Sequence, residues 1–101
     1  MTRGTVTTGV YSQFTATHLG MEGRPHWHTW HVEAEWLLPL GTDGREYKAR
    51  LDAMLAAWDG GALSPEVQLN EEIALAIGEA LGCCAVRVSR PADGLFARWT
   101  A

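Results

Sequence analysis

Long hydrophobic runs are missing from this 101-residue chain. No stretch approaches the ~20 apolar residues needed to span a bilayer, and Met1-Thr2-Arg3-Gly4 leads into no signal-peptide core. The expected setting is therefore cytoplasmic, with no membrane partner. Basic residues are also scarce. Eight Lys and Arg stand against twelve Asp and Glu, a formal net charge of −4, and they are spread along the chain. That leaves no basic stripe of the kind phosphate neutralisation requires, which argues against a nucleic-acid partner. Cysteine is limited to Cys83 and Cys84. Neighbouring side chains of an extended segment point to opposite faces, so a bridge between them is strained, and they read as small apolar groups. The length fits one domain over residues 1–101, and a domain this short without disulfides gains stability from a metal or from oligomerisation.

What the chain does have is strong periodicity. Thr5 to Leu19 is rich in Thr, Val, Tyr and Phe and reads as a strand, with Phe14, Ala16 and His18 on one face. Gly20 to Pro25 carries two glycines and a proline and reads as a loop. His26 to about Leu38 alternates again. His26, His28, Trp30, Val32, Ala34 and Trp36 share one face, and Trp27, Thr29, His31, Glu33 and Glu35 the other. After a turn over Pro39 to Gly44, Tyr47, Leu51, Met54, Leu55 and Trp58 recur at helical spacing until Asp59-Gly60-Gly61. Asn70 is placed to cap a second helix with Glu71 and Glu72 in its first turn, Ile73, Ala74, Ile77 and Leu81 as its buried stripe, and Gly82 as its end. Cys83 to Ser89 reads as a third strand, Arg90 to Gly94 as a turn and Leu95 to Trp99 as a fourth strand. The order β-β-α-α-β-β predicts an α+β fold, an antiparallel four-stranded sheet with two helices on one face. The exposed edges of so small a sheet favour pairing with another subunit.

Three of the four histidines share a geometry. If the first two strands are antiparallel neighbours, His18 converges with His26 and His28, because all three project from the same face. A His-x-His pair with a third His from the adjacent strand suits a three-histidine zinc site whose fourth position stays open to water or substrate, as catalytic zinc requires. Histidines in an aromatic-rich strand can equally be hydrogen-bonded structural residues. His31 falls on the opposite face and is not expected to be a ligand.

The run Phe14-Thr15-Ala16-Thr17-His18, followed by Glu22-Gly23-Arg24-Pro25-His26-Trp27-His28, resembles the zinc-binding signature of the 6-pyruvoyltetrahydropterin synthase and 6-carboxytetrahydropterin synthase family. There a Phe-x-Ala-x-His strand precedes a Cys, three residues and His-Gly-His. The resemblance runs in order from about residue 10 to 99. Asp43 and Lys48 are similar to the family's helix start, Asp59 falls where an Asp-His pair is expected, Glu71-Glu72-Ile73-Ala74 resembles Glu-Asn-Leu-Ala, and Val86-Arg87-Val88 resembles the penultimate strand. The loop between Asp59 and Glu71 is shortened.

This resemblance implies a tunnelling-fold (T-fold) subunit, Zn2+ held by His18, His26 and His28, and a homo-oligomer of trimers or hexamers. It implies a lyase-like reaction on a pterin such as dihydroneopterin triphosphate, in a pathway of the queuosine, biopterin or folate kind. The departures bear on the chemistry. Glu22 stands where the family has its catalytic Cys and is the candidate general base. Asp59 is followed by Gly60 instead of His, so it is a catalytic candidate without its usual partner. Arg90 stands where a glutamate would anchor the pterin ring, and a guanidinium can only donate hydrogen bonds where that carboxylate accepts them. With Glu71, Arg90 forms the candidate substrate-binding pair, while Glu72 and Ser89 are further residues near the expected ligand. Three such departures also fit another reading: a non-catalytic zinc-binding homologue serving as a binding or assembly module, or an enzyme acting on a different heterocycle.

Overall fold

Period-two alternation and helical periodicity both appear in the folded chain. The computed structural model describes residues 4–101. Strand β1 spans Thr8–His18, β2 His26–Trp36, helix α1 Arg45–Ala56, α2 Asn70–Leu81, β3 Ala85–Arg90 and β4 Leu95–Thr100. The strands form one antiparallel sheet in the order β1-β2-β3-β4. This is the expected α+β arrangement. One face of the sheet, carrying Phe14, Ala16, Trp30, Val32, Ala34, Val86 and Val88, is buried. Against it lie Leu51 and Leu55 of α1 and Ile73 and Ile77 of α2, which join the same core. Each such side chain contributes about 1.5–3 kcal/mol on removal from water. Helix α1 packs on β1, and α2 packs on β3 and β4. Among the described residues no helix is long and apolar enough to cross a membrane.

Several boundaries differ from those read in the sequence, each for a local reason. β1 starts at Thr8 rather than Thr5 and β2 ends at Trp36 rather than Leu38, because Thr8 and Trp36 form the last pair of the ladder. β3 begins at Ala85 and not at Cys83. Cys83 is buried, and burial pushes its thiol pKa up, whereas the half-buried Cys84 donates its backbone N–H to the Glu35 carbonyl at 2.8 Å. Arg90 belongs to β3 instead of the following turn, pairing with Leu95. Asn70 does not cap α2, because its Oδ1 accepts the Trp30 indole N–H at 3.0 Å. Glu72 takes over that role. Its carboxylate accepts the N–H groups of Leu69 at 2.9 Å and Gln68 at 3.2 Å.

Beyond α1 the chain turns back along β1. Gly60, at φ 79°, donates its N–H to the Thr15 carbonyl at 2.7 Å. Thr17 N–H donates to the Gly61 carbonyl, and Leu63 N–H to the Thr17 carbonyl, each at 2.9 Å. Asp59 completes this strap by accepting the Thr15 N–H at 2.8 Å. The outer edge of β1 is thereby covered next to His18, in the shortened loop.

Helix α2 approaches β4 closely through Gly78, where an added Cβ would overlap the indole of Trp99. Gly78→Ala gains helix propensity worth up to about 1 kcal/mol, but overpacking against a large ring costs about 1–3 kcal/mol. The expected outcome is a lower urea midpoint with an unchanged denaturant slope. A midpoint equal to or above wild type would show that Trp99 repacks freely.

Candidate metal centre

The β1–β2 register places His18 directly opposite His26, and Ala16 opposite His28. Because all three histidines lie on the core side of the pleat, their imidazoles meet at the end of the hairpin. Ring centroids are 4.4 Å apart for His18 and His26, 4.9 Å for His18 and His28, and 4.7 Å for His26 and His28. One nitrogen from each lies within 4.8 Å of the other two, so the cluster can hold a metal ion. Its floor is Trp30, edge-on to His18 at 5.0 Å and stacked on Phe14 at 5.1 Å.

In two of the rings Nδ1 has a hydrogen-bond acceptor. His18 Nδ1 lies 2.6 Å from the Gln68 carbonyl and His26 Nδ1 lies 2.8 Å from the Arg24 carbonyl. A carbonyl only accepts, so both Nδ1 atoms carry a proton, and in the neutral form of each ring the lone pair is on Nε2. The Asp93 carboxylate, 3.7 Å from His28 Nδ1, favours the same tautomer there. Metal-binding histidines are oriented in this way, by an acceptor on the nitrogen that does not coordinate. Gly20 adds to the fit. A Cβ on it would stand 3.1 Å from His18 Cε1 and 3.3 Å from His18 Nε2, filling space beside the cluster. Burial, and then the charge of neighbouring groups including Arg90, holds the pKa values of His18 and His28 below the ordinary histidine value. Neutral imidazole is the form that ligates.

The cluster opens into a cavity of about 580 Å³, whose lining includes Glu22, Gln68, Glu71, Arg90 and Asp93. Of the residues singled out in the sequence, His18, His26, His28, Glu22, Glu71 and Arg90 are thus gathered at one cavity. Glu22 ends a short 3-10 turn, Gly20–Glu22, and both it and Glu71 are exposed. Arg90 reaches the cluster itself, with Nη1 3.5 Å from His18 Nε2. Asp59 is not in the lining, since its carboxylate is engaged with Thr15 in the strap. Glu72 caps α2, and Ser89 pairs with His31 on the other face of the sheet. Trp27 is exposed on that face too.

Two residues at the site escape sequence reasoning. Gln68 ties the end of β1 to the start of α2. Its Oε1 accepts the Leu19 N–H at 2.6 Å, and its Nε2 donates to the carbonyls of Leu63 and Ser64 at 2.9 and 2.8 Å. Asp93 approaches both His28 and Arg90 from the turn after β3. The polar character of both was visible, but not their position.

No protein-family model matches this chain, and no curated protein matches it. The metal centre therefore stands on the geometry of the cluster.

His26→Ala removes one of three donors and is expected to abolish stoichiometric metal uptake, measured by elemental analysis after dialysis. Gln68→Ala leaves the donors but frees the carbonyl that orients His18, and is expected to weaken metal affinity by roughly 10–100-fold. Unchanged affinity in both variants would remove the cluster as the metal site.

Proposed function

We propose that the protein is a zinc-dependent, lyase-like enzyme acting on a small oxygenated heterocycle of the pterin class. The observation that carries this reading is the arrangement of His18, His26 and His28. Two have Nδ1 committed to backbone carbonyls, the third has Nδ1 near a carboxylate, and all three sit at the mouth of a cavity large enough for a small molecule. Imidazole donors suit zinc, and three of them leave a position open. When bound, zinc supplies Lewis acidity that polarises substrate oxygens. The resemblance of Phe14 to His28 to the tetrahydropterin synthase signature supports the pterin class and the tunnelling fold.

Within the cavity Glu22 is the proposed general base. It sits on the turn that begins at Gly20, beside His18, and lines the same cavity as Glu71 and Arg90. A carboxylate there can take a proton from a substrate carbon or hydroxyl and return it elsewhere on the side chain. Glu71, at the start of α2, faces the same space and can accept hydrogen bonds from a heterocycle. A homo-oligomer, trimer or hexamer, is part of the proposal. Beyond the strap the sheet has open edges at β1 and β4, and exposed Tyr11, Trp27 and Phe96 lie away from the core.

One observation favours the second reading, a zinc-binding homologue without catalysis. Asp59, the other acid-base candidate, is held in the strap, which leaves Glu22 without that partner at the cavity.

The two readings part in one assay. Zinc-loaded protein incubated with dihydroneopterin triphosphate is expected to yield a pterin product of altered side chain, detected by mass analysis. Glu22→Ala is expected to keep its zinc and lose at least about 10²-fold in turnover. Full zinc occupancy without turnover on this or other pterins would support the non-catalytic homologue.

A further inference from the structure

Arg90 is the cation of this cavity, and its surroundings leave it only partly satisfied. Its side chain is 18% exposed, yet its Nε is, among the described residues, the buried side-chain nitrogen or oxygen with no hydrogen-bond partner. The Asp93 carboxylate lies 3.3 Å from Nε but off the direction of its N–H. Nη1 points instead toward His18 Nε2, at 3.5 Å. The guanidinium thus faces the lone pair that the metal-centre reading assigns to an ion. Two cations brought to the same imidazole edge repel unless an anion faces both.

We propose that Arg90 anchors a ligand carboxylate in the cavity, so that this site also binds small molecules that carry a carboxylate group. The assignment rests on the reading of the cavity as a small-molecule site beside a metal. A guanidinium offers a planar fork that matches a carboxylate with two parallel N–H···O bonds, and Arg90 lines this cavity with its Nη1 held only by a long 3.5 Å contact to His18 Nε2. Glu22, Glu71 and Asp93 already place three carboxylates around one arginine. A singly charged carboxylate meets less repulsion there than a doubly charged phosphate. Leu69 and Leu95 line the same cavity, which suits a carboxylate borne on a flat apolar body.

The test uses benzoate, its neutral analogue benzamide, and inorganic phosphate, titrated by calorimetry or ligand-observed NMR into the metal-free and the zinc-loaded protein. Benzoate is expected to bind, with benzamide and phosphate each at least about tenfold weaker. Arg90→Gln is expected to weaken benzoate by about 10–100-fold, and Arg90→Lys, which keeps the charge but loses the fork, by an intermediate factor. Unchanged circular dichroism and zinc content in both variants separate this loss from misfolding. Benzoate affinity indifferent to either substitution, equal binding of benzamide, tighter binding of phosphate, or no binding of benzoate would each overturn the proposal. Failure of the wild-type chain to take up zinc overturns the metal centre alone, because the dependence on Arg90 is read in the metal-free protein as well.

Discussion

The register of the β1–β2 hairpin is the constraint on which the rest of the site depends. Side chains alternate along a strand, so a slip of one residue would send all three histidines, with Phe14 and Trp30, to the wrong side of the sheet. Several interactions oppose that slip. Phe14 stacks on its cross-strand partner Trp30, the hydroxyls of Thr15 and Thr29 pair at 2.8 Å on the opposite face, and the strap from Asp59 to Leu63 binds the backbone of Thr15 and Thr17. The connection between the strands closes tightly, with Gly23 at φ 70° and its N–H on the Leu19 carbonyl at 3.1 Å. A core pair, a polar pair and an edge strap therefore agree on a single pairing. Meeting of His18, His26 and His28 follows from it.

Why so much of this was legible is a matter of periodicity. Alternation over β1 and β2 spans eleven residues in each strand, long enough to assign every side chain to a face, and the histidines were assigned with them. The helices were legible for the same reason, since Leu51 and Leu55, then Ile73 and Ile77, repeat at intervals of four. Where a residue's role is set by backbone groups distant in sequence, periodicity carries no information. The carbonyl of Gln68 is fifty positions from His18, and any residue there has a carbonyl. Asn70 shows the converse. Its type and position suit a helix cap, but the buried indole of Trp30 also needs an acceptor, and a buried N–H without one costs about 1–3 kcal/mol. Glu72 can reach back to cap the helix, so Asn70 goes to the tryptophan.

Arg90 lies between these cases. A turn-forming Pro91 follows it, which in the sequence separates it from the strand, yet in the structure it is the last member of β3 and shares the core-side face with Val86 and Val88. That face runs directly into the histidine cluster. The same alternation that builds the core thus delivers, one step beyond it, a cation beside three imidazoles. Placing a charge there is costly unless other groups offset it, and Asp93 does so incompletely, being close to Nε but poorly aligned with its N–H.

The cavity is consequently rigid on one side and adaptable on the other. Its histidine wall is set by the hairpin register, by the stacked pair of Phe14 and Trp30 in the core and by the carbonyls of Gln68 and Arg24. The exposed side chains of Glu22 and Glu71, which line the same cavity, are held by none of these. Organising ligands in advance reduces what binding an ion must spend on ordering them. Freedom of the carboxylates would let them adjust to a ligand that a bound ion and Arg90 would hold. The division places the structurally expensive element, three converging imidazoles, where the fold already has its strongest packing, and leaves the side chains suited to proton transfer and recognition where the protein is least constrained.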